Sequence, residues 1–238
     1  MIDYDKKYDK IRRKRFFLLF ARKSSRIYFG QKIISGVIDL RYDIEKFKSI
    51  LEERLSKKRY IRSLNVADKA KKLAEIWGAD EEKSYVAGLL HDICKDIPHS
   101  EQRKLLELSN KDVTDEELII PQLWHGIAGE VYCRTVLEID DEDILNSIRF
   151  HTVARKDMTL LEEIIYLADL TSADRDYPDV DYMRKLVKKD IEESMIYALQ
   201  YSISDVVKRK SLLPKHTIDA YNGYIYDSKK ARKTDESE

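Results

Sequence analysis

The chain has 238 residues, 44 Lys and Arg against 44 Asp and Glu, and 43% apolar residues, enough for one good-sized domain core. Seven Gly and four Pro favour helices over a turn-rich β architecture, and two cysteines (Cys94 and Cys133, no CxxC) exclude a disulfide framework and give no sign of a cysteine zinc site. No stretch approaches the roughly twenty apolar residues needed to span a bilayer.

The neutral total hides an asymmetry. Residues 1–35 carry eleven Lys or Arg against three Asp or Glu, so a basic arm precedes an acidic body. With Phe16, Phe17, Leu18, Leu19 and Phe20, that arm fits an electrostatic anchor for RNA, a membrane surface or a protein partner. Its plainer reading is an extension lying on the acidic body. Phe16 to Ala21 is too short for a secretory signal core and is followed by Arg22 and Lys23, so a cytoplasmic location is expected.

From about Asp43 the pattern turns to amphipathic helices. Ile44, Phe47, Ile50, Leu51 and Leu55 keep a three-four spacing, as do Leu64, Ala67, Ala70, Leu73, Ala74 and Trp77. Gly78 suits a helix C-terminus, and Asp80 a cap for the next helix. That next helix carries VAGLLHDICKD and is expected to run on to Pro98. Thr114 opens a short capping-box helix ended by Pro121. Asp140 is the expected cap of a helix delivering His151, and Thr159 or Asp157 of one delivering Asp169. Helices over about 180–190 and 191–209 follow, with a last one after Pro214. No strand is expected. The fold class is all-α, with an arm and connector over 1–42, one domain over 43–226 and a disordered polar tail over 227–238.

Several polar residues interrupt apolar runs. His91 and Asp92 stand together in VAGLLHDICKD, His125 in LWHGIAGE, His151 in RFHTVAR and Asp169 in IIYLADL. Buried polar groups need partners, and imidazoles with carboxylates are what a divalent transition metal requires. Taken singly, each histidine is more often a hydrogen-bonded structural residue. Cys94 reads as a buried inert thiol, His99 as a surface residue and His216 as structural.

Together these residues match a family. HD at 91–92 followed by Lys95, then His125, HT at 151–152, AD at 168–169 and Arg175 resemble the HD-domain phosphohydrolases. The segments SLNVADKAKKLA, GLLHDICKD, WHGIAGE and HTVARKDMTLLEEIIYLADLTSADRDYPDV are similar to the YqeK-type branch, from about Arg59 to Tyr221. The resemblance implies an all-helical HD bundle that cleaves diadenosine tetraphosphate symmetrically to two ADP through metal-bound hydroxide. It implies two transition-metal ions, usually iron, with manganese, cobalt or nickel as substitutes; one or two ions are expected for this chain. Asp92 would bridge, with His91 and Asp169 serving one ion and His125 and His151 the other. Lys95 and Arg175 would take substrate phosphates. A homodimer is a further expectation.

One position departs from the family pattern. Where the family segment reads R-Y-x-H-S-L, this chain has Arg59-Tyr60-Ile61-Arg62-Ser63-Leu64. A guanidinium has no accepting lone pair, so Arg62 cannot ligate metal. Water could fill the gap and leave a weaker site, Arg62 could lie against Asp169 or Asp92 as a substitute cation and give a one-metal centre, or hydrolysis could be lost, leaving a nucleotide-binding module. Reduced metal occupancy with activity retained is the expected outcome.

Overall fold

The structure, a computed structural model, describes residues 41–235, with side chains as far as Lys230. The basic arm and its connector up to residue 40 therefore lie outside the described residues, as do 236–238.

The described residues form helices and connecting turns with no strand. Helix α1 (Ile44–Arg54) is capped by Asp43, which accepts from the Lys46 amide. Helix α2 (Lys57–Trp77) buries Ser63, Val66, Ala67, Ala70, Leu73 and Ala74, a three-four stripe of mainly small residues. It ends at Gly78, whose φ of 73° a side chain rarely adopts. Asp80 then caps α3 (Glu81–Leu90), as expected.

Small residues on α2 let α3 come close. A Cβ on Gly88 would sit 2.9 Å from the Cα of Ala67, so the two backbones touch at that point. Helix α4 (His99–Leu106) and the short α5 (Asp115–Ile119) follow, the latter with the full Thr114–Glu117 capping box. A 3-10 turn at Pro121–Leu123 leads into α6 (Trp124–Thr135). Helices α7 (Glu142–Phe150) and α8 (Leu160–Thr171) complete the core. Helix α7 packs on α6, α3 and α8, while α8 packs on α2 and α3. Helices α9 (Val180–Leu186), α10 (Ile191–Lys208) and α11 (Lys215–Asp235) close the chain. The core is aliphatic, with Leu51, Leu73, Leu89, Ile93, Ile127, Ile148 and Ile164 fully buried. Each such side chain contributes about 1.5–3 kcal/mol.

Three details differ from the sequence reading. Asp141 caps α7, one residue later than expected, because its carboxylate accepts from the Asp143 and Ile144 amides. Helix α11 continues to Asp235, through most of the segment expected as a disordered tail. Most relevant to the site, α3 stops at Leu90 rather than near Pro98. The His91 imidazole takes the Gly88 carbonyl (2.7 Å), and 3-10-like turns follow, Ile93 to Leu90 and Lys95 to Asp92. His91 and Asp92 are therefore turn residues at a helix C-terminus.

Candidate metal centre

The three histidines are held by one device. His91 Nδ1 donates to Gly88 O (2.7 Å), His125 Nδ1 to Gln122 O (2.8 Å) and His151 Nδ1 to Ile148 O (2.8 Å). A carbonyl only accepts, so each Nδ1 carries a proton and each Nε2 is the nitrogen turned inward, free to ligate in the neutral ring. All three rings lie at helix ends, where backbone carbonyls or turn geometry leave such acceptors free: His91 after α3, His125 in the first turn of α6, His151 after α7.

Asp92, from the turn after α3, divides the cluster in two. Its Oδ1 lies 3.3 Å from His125 Nε2 and 3.7 Å from His151 Nε2. Its Oδ2 faces His91 Nε2 at 3.6 Å, and His91 Nε2 is in turn 3.4 Å from Asp169 Oδ1. All five expected ligand positions, His91, Asp92, His125, His151 and Asp169, are thus brought together, and four of them are buried.

These contacts are unfavourable for the protein alone. His125 Nε2 and His151 Nε2 are 3.1 Å apart, two lone pairs with no proton between them. His91 Nε2 is buried without a hydrogen-bond partner. The ligand atoms of His91, Asp92 and His151 all lie within 4.8 Å of one another. Converging nitrogen lone pairs beside a carboxylate are the donor set of a divalent cation, so the residues fit a metal.

The electrostatics agree. Burial favours neutral Asp92, but His91, His151 and His125 hold its carboxyl well below the usual range. Burial works the same way on Asp169, and His91, Arg175 and Arg62 overcome it in the same direction. Burial pushes His125 far down, keeping its lone pair available, although Asp92 opposes the shift.

The cations occupy places of their own. Lys95 Nζ is 3.0 Å from His125 Nε2 and 3.2 Å from Nδ1, nearly equidistant from both nitrogens, so its contact is poorly directed. Burial lowers its pKa. Arg175 grips Asp169, with Nε on the backbone carbonyl (2.7 Å) and Nη2 on Oδ2 (2.8 Å). Arg62 takes the other oxygen, Nη2 to Asp169 Oδ1 at 2.6 Å, and reaches Asp174 through Nη1 at 3.2 Å. Of the three outcomes open at this position, the structure shows the guanidinium lying against Asp169.

Sequence reasoning gave no role to Arg59 or Asp174. Arg59 Nη1 is 3.1 Å from Asp92 Oδ2, one helical turn before Arg62 on the same face of α2. Its spacing from Arg62 was the available signal. Asp174 carried none beyond its place beside Arg175. Lys58, Arg59, Arg62, Lys95 and Arg175 all line one cleft of about 470 Å³, with Asp92, His125, His151 and Asp169 also on its wall.

The remaining expectations fall outside this cleft. Cys94 is buried, its thiol pushed up to about 12 by burial. His99 is exposed against the edge of Trp124, and His216 lies 3.7 Å from Glu117. Among the described residues no helix is long and apolar enough to cross a membrane.

Comparison with known proteins gives consistent results. The HD-domain family profile matches residues 59–174. A Bacillus subtilis protein named symmetrical bis(5′-nucleosyl)-tetraphosphatase is 32% identical over 186 residues, covering 77% of this chain and 98% of its own length. A Staphylococcus aureus protein of the same name is 30% identical over 198 residues, 80% of this chain and 98% of its own. Among solved structures, an HD superfamily hydrolase from Clostridium acetobutylicum, described as involved in NAD metabolism, superposes with a TM-score of 0.75 at 36% identity. It spans 78% of this chain and 98% of that one.

Proposed function

The chain belongs to the HD-domain family, and on that premise we propose that it hydrolyses diadenosine tetraphosphate symmetrically to two ADP. The carrying observation is the floor of the cleft, where three imidazole lone pairs and the Asp92 carboxylate converge beneath a rim of five cations. Neither half explains itself alone. A cleft lined by Lys and Arg suits a polyphosphate, and converging buried imidazole nitrogens suit a cation held against it.

His91, Asp92, His125, His151 and Asp169 would hold the metal. Imidazole and carboxylate donors suit iron, with manganese, cobalt or nickel as substitutes. Such an ion lowers the pKa of water and offsets charge on phosphoryl oxygens. The protein's own groups do the rest. The three Nδ1 hydrogen bonds fix ring orientation and make Nε2 the nitrogen turned to the metal. Lys95, released from its loose contact with His125, and Arg59 and Lys58 on the rim would bind phosphate oxygens. Arg175 keeps Asp169 in place and presents its remaining guanidinium edge to the cleft. Cleavage of the central P–O–P bridge, with water adding to one phosphorus, leaves two identical diphosphates.

The test is nucleotide analysis of the reaction mixture. ADP as the sole product is expected, with turnover falling about 10²–10³-fold or more in Asp92→Asn, the scale of removing a principal electrostatic group. ATP and AMP in equal amounts would reject the symmetrical assignment.

A further inference from the structure

We infer that this centre takes a single divalent ion, on the imidazole side of Asp92, and that the Arg62 guanidinium permanently holds the carboxylate side. The inference rests on the metal-centre reading above and sharpens it from one or two ions to one.

The cluster has two donor sets. On one side stand Asp92 Oδ1, His125 Nε2 and His151 Nε2; on the other Asp92 Oδ2, His91 Nε2 and Asp169 Oδ1. By donor count each could take an ion. What separates them is the cation already beside each.

On the carboxylate side, both Asp169 oxygens are in use, Oδ1 by Arg62 at 2.6 Å and Oδ2 by Arg175 at 2.8 Å. Arg62 is anchored from behind by Asp174, which Asn65 holds through its other oxygen at 3.2 Å. Its Nε lies 4.0 Å from Asp92 Oδ2, and its side chain is only 15% exposed. A guanidinium cannot shed its proton to make way. An ion entering here would have to break charge-assisted bonds and leave a buried cation stranded.

The imidazole side has only Lys95. That ammonium is poorly directed at the ring it touches and sits on a flexible stem. It can swing away, whereas Arg62 cannot. His91 stays within reach of the imidazole side, since its ligand atom lies within 4.8 Å of those of Asp92 and His151. Charge balance points the same way. Asp92, Asp96, Asp169 and Asp174 are matched by Arg59, Arg62, Lys95 and Arg175. One divalent ion then leaves a positive site suited to an anionic substrate, and a second has no carboxylate to neutralise it.

The deciding experiment titrates Mn(II) into the metal-free protein and reads free Mn(II) by its EPR signal. One bound ion per wild-type chain is expected, with an uncoupled mononuclear spectrum at low temperature. Arg62→His removes the cation and supplies a lone pair beside Asp169, so two ions and an exchange-coupled spectrum are expected. A thermal melt by circular dichroism checks that the variant is folded, and if it is not, the wild-type stoichiometry decides alone. Two ions on the wild type, or one on a folded Arg62→His, would overturn the inference. Diadenosine tetraphosphate turnover on the same samples reports the hydrolase reading separately. A two-ion, active wild type sinks only the inference, whereas a wild type with no bound ion and no turnover sinks both.

Discussion

Arg149 and His151 are two residues apart, yet they enter two buried polar clusters of opposite character. Arg149 forms a fork onto Glu117, Nη1 to Oε1 at 2.7 Å and Nη2 to Oε2 at 2.8 Å, and adds the Asp112 carbonyl at 3.0 Å. Neither side chain is more than 1% exposed. That cluster is matched in charge, guanidinium against carboxylate, although Arg149 Nε is buried without a partner of its own. His151 instead faces the His125 lone pair at 3.1 Å and the Asp92 carboxylate at 3.7 Å, beside a His91 nitrogen with no partner. The second cluster is coherent only when something else completes it. Buried charge matched by opposite charge braces a fold, while several buried ligand atoms turned on one point without a cation between them mark a ligand.

The largest effect should come from breaking the charge-matched cluster. Arg149→Ala leaves the Glu117 carboxylate buried without its cation, with the Thr114 amide still donating to it, and should cost about 3–5 kcal/mol in urea unfolding. Arg149→Met with Glu117→Leu should recover part of that loss, because the pair's desolvation cost disappears while the Thr114 capping box goes with the carboxylate. Metal bound per folded chain should not change. A loss no larger than that of an exposed pair, under about 1 kcal/mol, would break the distinction.

The open cluster should respond to its ligand. Mn(II) at a hundred times its Kd should stabilise the wild type by about 2.7 kcal/mol through mass action. Asp92→Asn should lose this response while keeping its helical circular dichroism. Equal stabilisation of both proteins would place the ion elsewhere.

Much of this contrast is legible in the sequence, for reasons that differ by residue. His91, Asp92, His125, His151 and Asp169 are visible because each interrupts an apolar run, and the structure brings them together. The helices carrying them are visible through three-four spacing and through caps such as Asp80 and the Thr159–Glu162 box. What sequence spacing does not give is the termination of α3 at Leu90, because a side chain takes a carbonyl that the helix would otherwise use. Nor does it show that Arg175 grips Asp169, since a cation near a phosphate motif reads equally as a substrate contact. The Arg149–Glu117 fork joins residues 32 apart on different helices, and neither residue sits in a motif. Arg62 stands between these cases: sequence chemistry rules it out as a ligand, and only geometry places it on Asp169.

The open cluster depends on a helix contact that glycine permits. Gly88 lets α3 meet α2 at Ala67 and supplies the carbonyl that orients His91. Gly88→Ala puts a Cβ 2.9 Å from backbone that cannot move like a side chain tip, so a cost of about 1–3 kcal/mol is expected. The shift should displace Arg59 and Arg62 from the centre and weaken Mn(II) binding. Stability lost with Mn(II) affinity unchanged would separate the contact from the site.

An exposed cluster gives the smallest effect and the reference for both buried ones. Glu142 accepts from Arg134 at 2.6 and 3.0 Å and from Lys111 at 2.8 Å, and these bonds bring its pKa down to about 2. Its side chain is 58% exposed, so water screens the pairing and Glu142→Gln should cost no more than about 0.2–1 kcal/mol at pH 7. Because the folded pKa is depressed, the stabilisation is fully present above the unfolded value of about 4.3 and fades as pH falls towards 2. Wild type and variant should therefore converge in urea midpoint across that interval. High salt should shrink the gap at pH 7 as well, since screening reaches an exposed pair, whereas the Arg149 penalty should persist because its fork is closed to solvent. A Glu142 gap that survived both acid and salt would place its origin in packing rather than charge.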